Sequence, residues 1–410
     1  MSEKPYILVA DDASLADAVA HLRAFPLLAL DLEMENNFHH YGLHVALIQV
    51  SAPDGANIVV DPLAGLDLDP LGRLLTDPGV ELILHDSDFD RRTCREIYGW
   101  RLTRLFDTKV AAQLCGIRQF GLAPLLSSLF GVATNKKFQR LDWMRRPLRE
   151  DALEYASSDT RHLFELRRVL LERLEALGRV AWVQEECARQ ERDVDWNDRP
   201  ALHHRIKGSA KLTGRQLAVL AAMVAFRDGL ARRMDRPAGF LIPDRRLMEW
   251  AVTPPASVEA VRAVPGLPRA LYRTDQASAL LEAIAAGTRA PEDQHPKWQR
   301  RGEPPVRGHE QRLKAMQQWR AEKAAPLDLE PYLILPNDVL EWRARHPGRP
   351  YPEEVASQIR TWQRNLLWRD FEAAFPDEPP SEAVRRHPGR GSMTRPGSQL
   401  ALDFGTAPTP

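Results

Sequence analysis

The chain has 410 residues, enough for two or three domains, and its 44% hydrophobic and 27% charged content is typical of a globular protein. The sequence contains no apolar run of 18 residues, and its N-terminus lacks the basic flank and apolar core of a signal peptide. We therefore expect a cytoplasmic protein without membrane contact. The 3 cysteines lack metal-type spacing and indicate neither a disulfide framework nor a zinc site.

The formal net charge is zero, but the charges are unevenly distributed along the chain. Residues 1–90 carry 3 Lys or Arg against 16 Asp or Glu, and the remainder carries 53 against 40. An acidic segment followed by a basic remainder fits a metal-loaded cleft with cationic surfaces that hold a polyanion. Solvated acidic loops are the alternative.

The first part of the chain predicts an α/β domain. A short strand at 7–9 and a capped amphipathic helix at 11–22 come first. Strand patterns at 27–33, 45–50 and 56–61 follow without an intervening helix, which predicts an antiparallel meander. A helix at 66–75, a buried strand at 80–84 and then mainly helices complete this part, including one long helix that we expect from about 150 to 190. This order predicts a mixed sheet flanked by helices.

Two carboxylates end the second predicted strand. Asp31 and Glu33 are two residues apart, so they share one face of the strand while Leu30 and Leu32 enter the core. Neighbouring carboxylates repel each other, and a divalent cation between them would relieve that repulsion. A strand end with two solvated acids is the alternative that these residues leave open.

Two further acidic clusters follow. Asp86, Asp88 and Asp90 come just after the strand at 80–84, where metal ligation and capping of the next helix both explain them. Tyr155 and Asp159 lie four residues apart on the predicted long helix and therefore share a face. They form either an ordinary hydrogen-bonded pair or a metal ligand beside a hydroxyl that orients water.

The three clusters together resemble the DEDD superfamily of 3′→5′ exonucleases, in the subgroup that uses tyrosine, and most closely the ribonuclease D family. The first motif is matched by Asp31-x-Glu33, the second by His85 and Asp90, and the third by Tyr155-x-x-x-Asp159. The stretch at 136–148 is similar to the lysine, glutamine and aspartate–tryptophan stretch that precedes the third motif. The resemblance selects Asp90 from the second acidic cluster.

The resemblance implies an RNase H-like fold and a metal-dependent 3′→5′ exoribonuclease. Such an enzyme trims structured RNA, such as tRNA precursors, and releases nucleoside 5′-monophosphates. It uses two Mg²⁺ or Mn²⁺ ions and a phenol that orients the attacking water. The implied metal ligands are Asp31, Glu33, Asp90 and Asp159, and Tyr155 is the fifth catalytic residue. A DNA exonuclease of the same fold, and a nucleic-acid-binding protein with incidental activity, are the alternatives.

The remaining chain predicts helical modules. After an exonuclease domain at 1–180, residues 205–290 resemble the nucleic-acid-binding HRDC module, and 311–375 look like a second, diverged copy. Residues 376–410 have the composition of a disordered tail, in which Gln399–Phe404 resembles peptides that dock on the bacterial sliding clamp. The side chains predicted to bind substrate are His85, Lys136, Lys137, Gln139, Arg140, Arg227 and Arg232. A structural role for the histidine and a solvated surface position for the others are the alternatives.

Overall fold

The structure is a computed structural model that describes residues 5–132, 136–138, 140–192, 200–297 and 306–376. Residues 5–192 form an α/β domain. Residues 200–297 form a first helical module, and residues 306–376 form a second helical module. Within these described ranges, no helix combines the length and the apolarity needed to cross a membrane.

Six strands form one mixed sheet in the order β1-β4-β3-β2-β5-β6. They are β1 (Ile7–Val9), β2 (Leu27–Asn36), β3 (Leu43–Ser51), β4 (Asn57–Val60), β5 (Glu81–Leu84) and β6 (Leu105–Asp107). The pairs β2–β3 and β3–β4 are antiparallel, which confirms the predicted meander, and the other pairs are parallel. The predicted α/β fold is confirmed. Strand β6 was not predicted, because its three residues directly precede a helix and carry too little periodicity.

Helices pack on the sheet, and its strands bury side chains on both faces. The helices are α1 (Asp12–Leu22), α2 (Asp69–Leu75), α3 (Asp88–Tyr98), α4 (Thr108–Leu114), α5 (Leu122–Phe130), α6 (Glu150–Arg161), α7 (Leu163–Ala176) and α8 (Val180–Arg192). Consecutive residues Leu47 and Ile48 of β3 belong to two different apolar cores, as strand alternation requires. The single long helix predicted from about 150 to 190 is wrong. It is interrupted at His162 and at Gly178, whose φ of +67° ends α7.

Each helical module has its own apolar core. The first module contains α9 (Gly214–Met234), α10 (Ala238–Leu241), α11 (Asp244–Val252), α12 (Val258–Arg262) and α13 (Thr274–Arg289). The second contains α14 (His309–Ala324), α15 (Pro331–Ile334), α16 (Asn337–Arg345), α17 (Glu353–Ala356), α18 (Thr361–Gln363) and α19 (Arg369–Ala374).

A buried arginine occupies the same place in both modules. Arg227 donates to the Ile242 carbonyl and the Asp244 carboxylate, 15 and 17 residues ahead. Arg320 donates to the Leu335 carbonyl and the side chain of Asn337 at the same two separations. This shared geometry supports our proposal that the second module is a diverged copy of the first.

The core of the α/β domain extends beyond the boundary predicted at residue 180. Helix α8 packs on β6, and its buried Val183 and Cys187 belong to the domain core. The Cys187 thiol also accepts a hydrogen bond from the Asp107 backbone N–H, at 3.4 Å. The precise domain limits stay a prediction, with α8 joining the α/β domain to the second module.

Candidate active site

Strand β2 presents the first two carboxylates. Asp31 and Glu33 are partly exposed, while Leu30 and Leu32 are buried in the core, as the alternation predicted. The pairing of β2 with β3 shifts register directly after Glu33. Such a bulge bends the strand and re-aims its side chains, and bulges are frequent beside active sites. The local shape of β2 therefore sets the direction of both acids.

Helix α6 brings the third motif to the sheet. It packs across β2, β3 and β4, and its small Ala156 is fully buried against them. The Thr160 hydroxyl shares a hydrogen bond of 2.7 Å with the Ser51 hydroxyl of β3. This packing holds Asp159, and Tyr155 one turn earlier, over the face of β2 that carries the first two acids.

Three carboxylates from these two elements converge. Oxygen atoms of Asp31, Glu33 and Asp159 all lie within 4.8 Å of one another. Burial, followed by the charges of Asp90, Asp159 and Glu33, raises the pKa of Asp31 well above its usual range. Burial and then Asp159 and Asp90 do the same to the pKa of Glu33. Burial raises the pKa of Asp159 to about 7.

This cluster fits a divalent cation. Carboxylate oxygens coordinate Mg²⁺ or Ca²⁺ at about 2.0–2.6 Å, so a single ion reaches oxygens separated by about 4–5 Å. Acids held this close repel one another unless they bind protons or a cation. An all-oxygen donor set favours magnesium or manganese over zinc. The donors present therefore match the divalent-metal dependence that the family resemblance implies.

The second acidic cluster divides into two surface acids and one buried acid. Asp86 pairs with Lys109 and Asp88 pairs with Arg91, each at 2.6 Å. Asp90 is instead only 7% exposed, and burial raises its pKa to about 7. Its charge acts on both acids of β2. Geometry thus singles out the same acid as the family resemblance.

The buried carboxylate of Asp107 places Asp90. It accepts hydrogen bonds from the backbone and hydroxyl of Ser87, at the start of α3, and from the backbone of Lys109, at the start of α4. The turn after β5 is therefore held close to the start of α4, and Asp90 falls in the first turn of α3. The backbone N–H of Leu32 on β2 interacts with the Asp90 carboxylate and lowers its pKa, so this acid lies next to the strand.

Tyr155 lies beside the carboxylates on an aromatic platform. Its ring stacks on Trp143, with centroids 6.3 Å apart, and lies 5.3 Å from the ring of Phe138. Burial, and then the charge of Asp159, raises the pKa of Tyr155 above its usual value. The phenol therefore stays protonated at neutral pH and can donate a hydrogen bond. Trp143 is only 4% exposed, which makes it a packing residue.

Two residues that the sequence analysis did not single out lie next to the site. Arg146 binds both carboxylate oxygens of Asp61 at 2.6 and 2.8 Å and donates to the Trp143 carbonyl, which fastens the platform to the sheet. Gln49 is fully buried directly opposite Asp31. A glutamine inside an otherwise apolar strand was the one signal that could have drawn attention to it.

The predicted substrate contacts around this site differ in accessibility. Lys137 is exposed next to the platform, with its ammonium 5.2 Å from the Phe138 ring centroid, and Arg140 is exposed on the same segment. His85 lies 2.9 Å from the Thr108 hydroxyl, and burial lowers the pKa of its imidazole. Arg232 is 72% exposed on α9.

Arg227 requires a correction. The sequence analysis predicted a phosphate contact, but the side chain is 10% exposed and lies inside the first module. Its guanidinium is occupied by the Ile242 carbonyl and the Asp244 carboxylate. An arginine used in this way stabilises the fold, so we no longer assign it to substrate.

The predicted positions outside the described residues are Gln139, the side chain of Lys136, the sliding-clamp peptide Gln399–Phe404 and the rest of the tail from 377 to 410.

Comparison with known proteins identifies the family. Residues 6–175 match the family model of the 3′-5′ exonuclease, and residues 216–284 match that of the HRDC domain. The chain is 31% identical to ribonuclease D of Gluconacetobacter diazotrophicus over 88% of this chain and 90% of that protein. It is also 31% identical to ribonuclease D of Pseudomonas paraeruginosa, over 88% and 94% of the two chains. The chain belongs to the ribonuclease D family.

The tertiary structure is similar over the same extent. The crystal structure of Escherichia coli RNase D, described as an exoribonuclease involved in structured RNA processing, superposes with a TM-score of 0.70 at 25% identity. The match covers 92% of this chain and all of the other. This ribonuclease D family member is therefore a 3′→5′ exoribonuclease with a nucleic-acid-binding HRDC domain.

Proposed function

We propose that this enzyme removes nucleoside 5′-monophosphates one at a time from the 3′ ends of structured cytoplasmic RNA such as tRNA precursors. The observation that carries the proposal is the convergence of Asp31, Glu33 and Asp159 within 4.8 Å, with Tyr155 beside them. The similarity to a protein involved in structured RNA processing supports the substrate class.

In this proposal, four carboxylates would hold two divalent ions, Mg²⁺ or Mn²⁺. Asp31, Glu33, Asp90 and Asp159 are the ligands. When bound, such ions supply activation of water and stabilisation of the departing 3′ oxygen. The raised pKa values of these acids describe the metal-free site, and a cation would favour their ionised forms.

Tyr155 orients the water that attacks the terminal phosphate. Its phenol keeps its proton because burial and neighbouring carboxylates raise its pKa. It therefore acts as a hydrogen-bond donor that positions the nucleophile and does not itself remove a proton. The stacked Trp143 ring and the tilted Phe138 ring hold the Tyr155 ring in one orientation.

Exposed cations near the site position the RNA. We assign phosphate contacts to Lys137, Arg140 and Arg232, whose charges neutralise the backbone without reading sequence. His85, neutral at physiological pH because burial lowers its pKa, is assigned a hydrogen bond to the terminal nucleotide.

The test uses matched single-stranded RNA and DNA carrying a label at the 3′ or the 5′ end, with Mg²⁺, Mn²⁺ or a chelator. We expect stepwise, metal-dependent loss from the 3′ end of RNA, release of 5′-monophosphates, and slower attack on DNA. Preference for DNA would instead assign the enzyme to DNA metabolism.

Variants separate the ligands from ordinary acids. Asp31→Asn and Asp159→Asn should each abolish cleavage while the protein stays folded. Asp86→Asn is the matched control, because Asp86 is 56% exposed and pairs with Lys109 on the surface. Cleavage at the unmodified rate by either ligand variant would overturn the proposed site.

A further inference from the structure

The loop between β2 and β3 docks on the first helical module. The Tyr41 hydroxyl donates to Asp228 at 2.9 Å, and the Tyr41 backbone N–H donates to Asp235 at 3.1 Å. His40 Nδ1 lies 2.6 Å from the same Asp235 carboxylate. The strand that carries Glu33 is thereby joined directly to α9, so surfaces of the module keep a defined position relative to the catalytic acids.

A groove of about 850 Å³ lies at this junction. Asn37 and Tyr41 of the loop form one wall, and the module forms the others. Two large apolar side chains of the module line it while remaining open to solvent: Phe240 is 63% exposed and Leu202 is 47% exposed. Exposed apolar groups in a concave surface of this volume are characteristic of a ligand site.

The charges along the groove favour an anionic ligand. Both acids that line it already have partners, since Asp228 accepts from Tyr41 and Asp244 binds the buried Arg227. Arg205 is exposed, and Arg232 is 72% exposed, with a long ion pair of 3.7 Å to Asp228 and a weak hydrogen bond of 3.3 Å to the Tyr41 hydroxyl. Two exposed guanidinium groups therefore line the same groove as the Phe240 ring.

The groove lies a few nucleotides from the catalytic acids. Asn37 follows Glu33 by four residues, and a strand advances about 3.3 Å per residue, so the groove begins about 13 Å along the chain from Glu33. A stacked nucleic-acid strand advances about 3.4 Å per nucleotide. An RNA whose 3′ end occupies the catalytic site would therefore reach the groove after about four nucleotides.

We propose that this groove binds an unpaired nucleotide of the substrate RNA, about four positions from its 3′ end. The base stacks on Phe240, and the adjoining phosphates contact Arg205 and Arg232. An aromatic platform beside cations is the usual way to hold a single strand without sequence preference. A duplex would keep its bases stacked on one another and leave the ring without a partner. This inference rests on the proposed function, because it assumes that RNA enters by its 3′ end.

The test compares a long and a short substrate. The full-length enzyme hydrolyses dodecaadenylate, which spans the groove, and diadenylate, which is too short to reach it. We expect Phe240→Ala to lower the ratio of kcat/KM for the long substrate to that for the short one by about tenfold, the order of one lost stacking contact. Joint replacement of Arg205 and Arg232 by Ala should lower the same ratio and reduce its dependence on salt.

Phe38→Ala is the matched control. Phe38 lies in the β2–β3 loop, like Asn37 and Tyr41, and is 67% exposed, but it does not line the groove. An unchanged ratio in Phe240→Ala, or an equal fall in Phe38→Ala, would overturn the inference.

Binding gives a second readout that does not require cleavage. Fluorescence anisotropy with labelled dodecaadenylate should show weaker binding by the Asp31→Asn, Phe240→Ala double variant than by the Asp31→Asn protein. If the enzyme cleaves no RNA yet this difference is present, the proposed function fails and the groove stands. If cleavage is normal and the difference is absent, the groove fails and the proposed function stands.

Discussion

Gln49 of β3 lies directly opposite Asp31 of β2, and residues paired in this way project from the same face of a sheet. The Gln49 side chain is 0% exposed, and neither its amide nitrogen nor its amide oxygen has a hydrogen-bond partner among the described residues. A buried polar group without a partner costs about 1–3 kcal/mol. The metal-free fold therefore carries a local penalty beside the catalytic acids.

Replacing Gln49 should relieve that penalty. Gln49→Met keeps the approximate volume and removes the amide, so we expect the metal-free protein to be stabilised by about 1 kcal/mol. Thermal unfolding in chelator would measure this. Gln363→Met is the control, because the buried Gln363 amide donates to the Leu333 carbonyl and accepts from the Arg360 backbone. That variant should lose stability, and an equal loss in Gln49→Met would contradict the expectation.

The catalytic acids predict a pH dependence of stability in the absence of metal. The pKa values of Asp90 and Asp159 are about 7 in the folded protein, above the value of 3.8 for an ordinary Asp. The folded state therefore binds these protons more tightly than the unfolded state, and this contribution is complete below about pH 4 and lost as pH rises through about 7.

Asp159→Asn isolates this effect, because the amide stays neutral. In chelator, we expect the melting temperature of the variant to exceed that of the original protein by an amount that grows from pH 5 to pH 8. Added Mn²⁺ should raise the melting temperature of the original protein more than that of the variant. A pH-independent difference would show that burial and repulsion do not act on Asp159.

Tyr155→Phe should separate catalysis from folding. The ring retains its packing on Phe138 and Trp143, while the hydroxyl that orients water is lost. We expect kcat to fall by about a hundredfold with little change in thermal stability. Because the pKa of Tyr155 is raised, the rate of the original enzyme should show no loss from phenol ionisation below about pH 10. Tyr98→Phe, which alters a phenol stacked on Trp100, is the control and should retain activity.

Replacing each of two arginines of α9 should affect a different property, stability for Arg227 and RNA binding for Arg232. Arg227→Ala removes the donor to the Ile242 carbonyl and a buried aliphatic stem, so we expect a loss of about 2 kcal/mol in the free energy of unfolding of the first module. Arg232→Ala alters an exposed side chain and should stay within about 0.5 kcal/mol of the original, while RNA binding weakens. Urea unfolding and RNA anisotropy measure the two effects. An Arg227→Ala protein of normal stability that binds RNA poorly would instead support the phosphate contact first predicted for Arg227.

Local patterns in the chain were enough to predict much of the fold and two of the three site motifs. Strand alternation places Asp31 and Glu33 on one face of a strand, and helical spacing places Tyr155 and Asp159 on one face of a helix. The order of strands and helices predicted the mixed sheet and its meander. These features depend on neighbours within a few residues, so the sequence contains them directly.

Other features depend on residues far apart in the chain, and only tertiary packing decided them. Asp86, Asp88 and Asp90 look alike by composition, and only burial of the third distinguishes it physically from its ion-paired neighbours. By sequence alone, Arg227 and Arg232 both resemble surface cations. The packing of α9 within its module buries Arg227 and leaves Arg232 exposed.

The groove likewise exists only because the β2–β3 loop meets α9, through contacts between residues 187 and 194 positions apart. The sequence by itself therefore determined which side chains share a face, since the repeat of a strand or helix is local. The tertiary structure decided which charges are buried, paired or left open to RNA, because those properties arise when distant elements exclude water from one another.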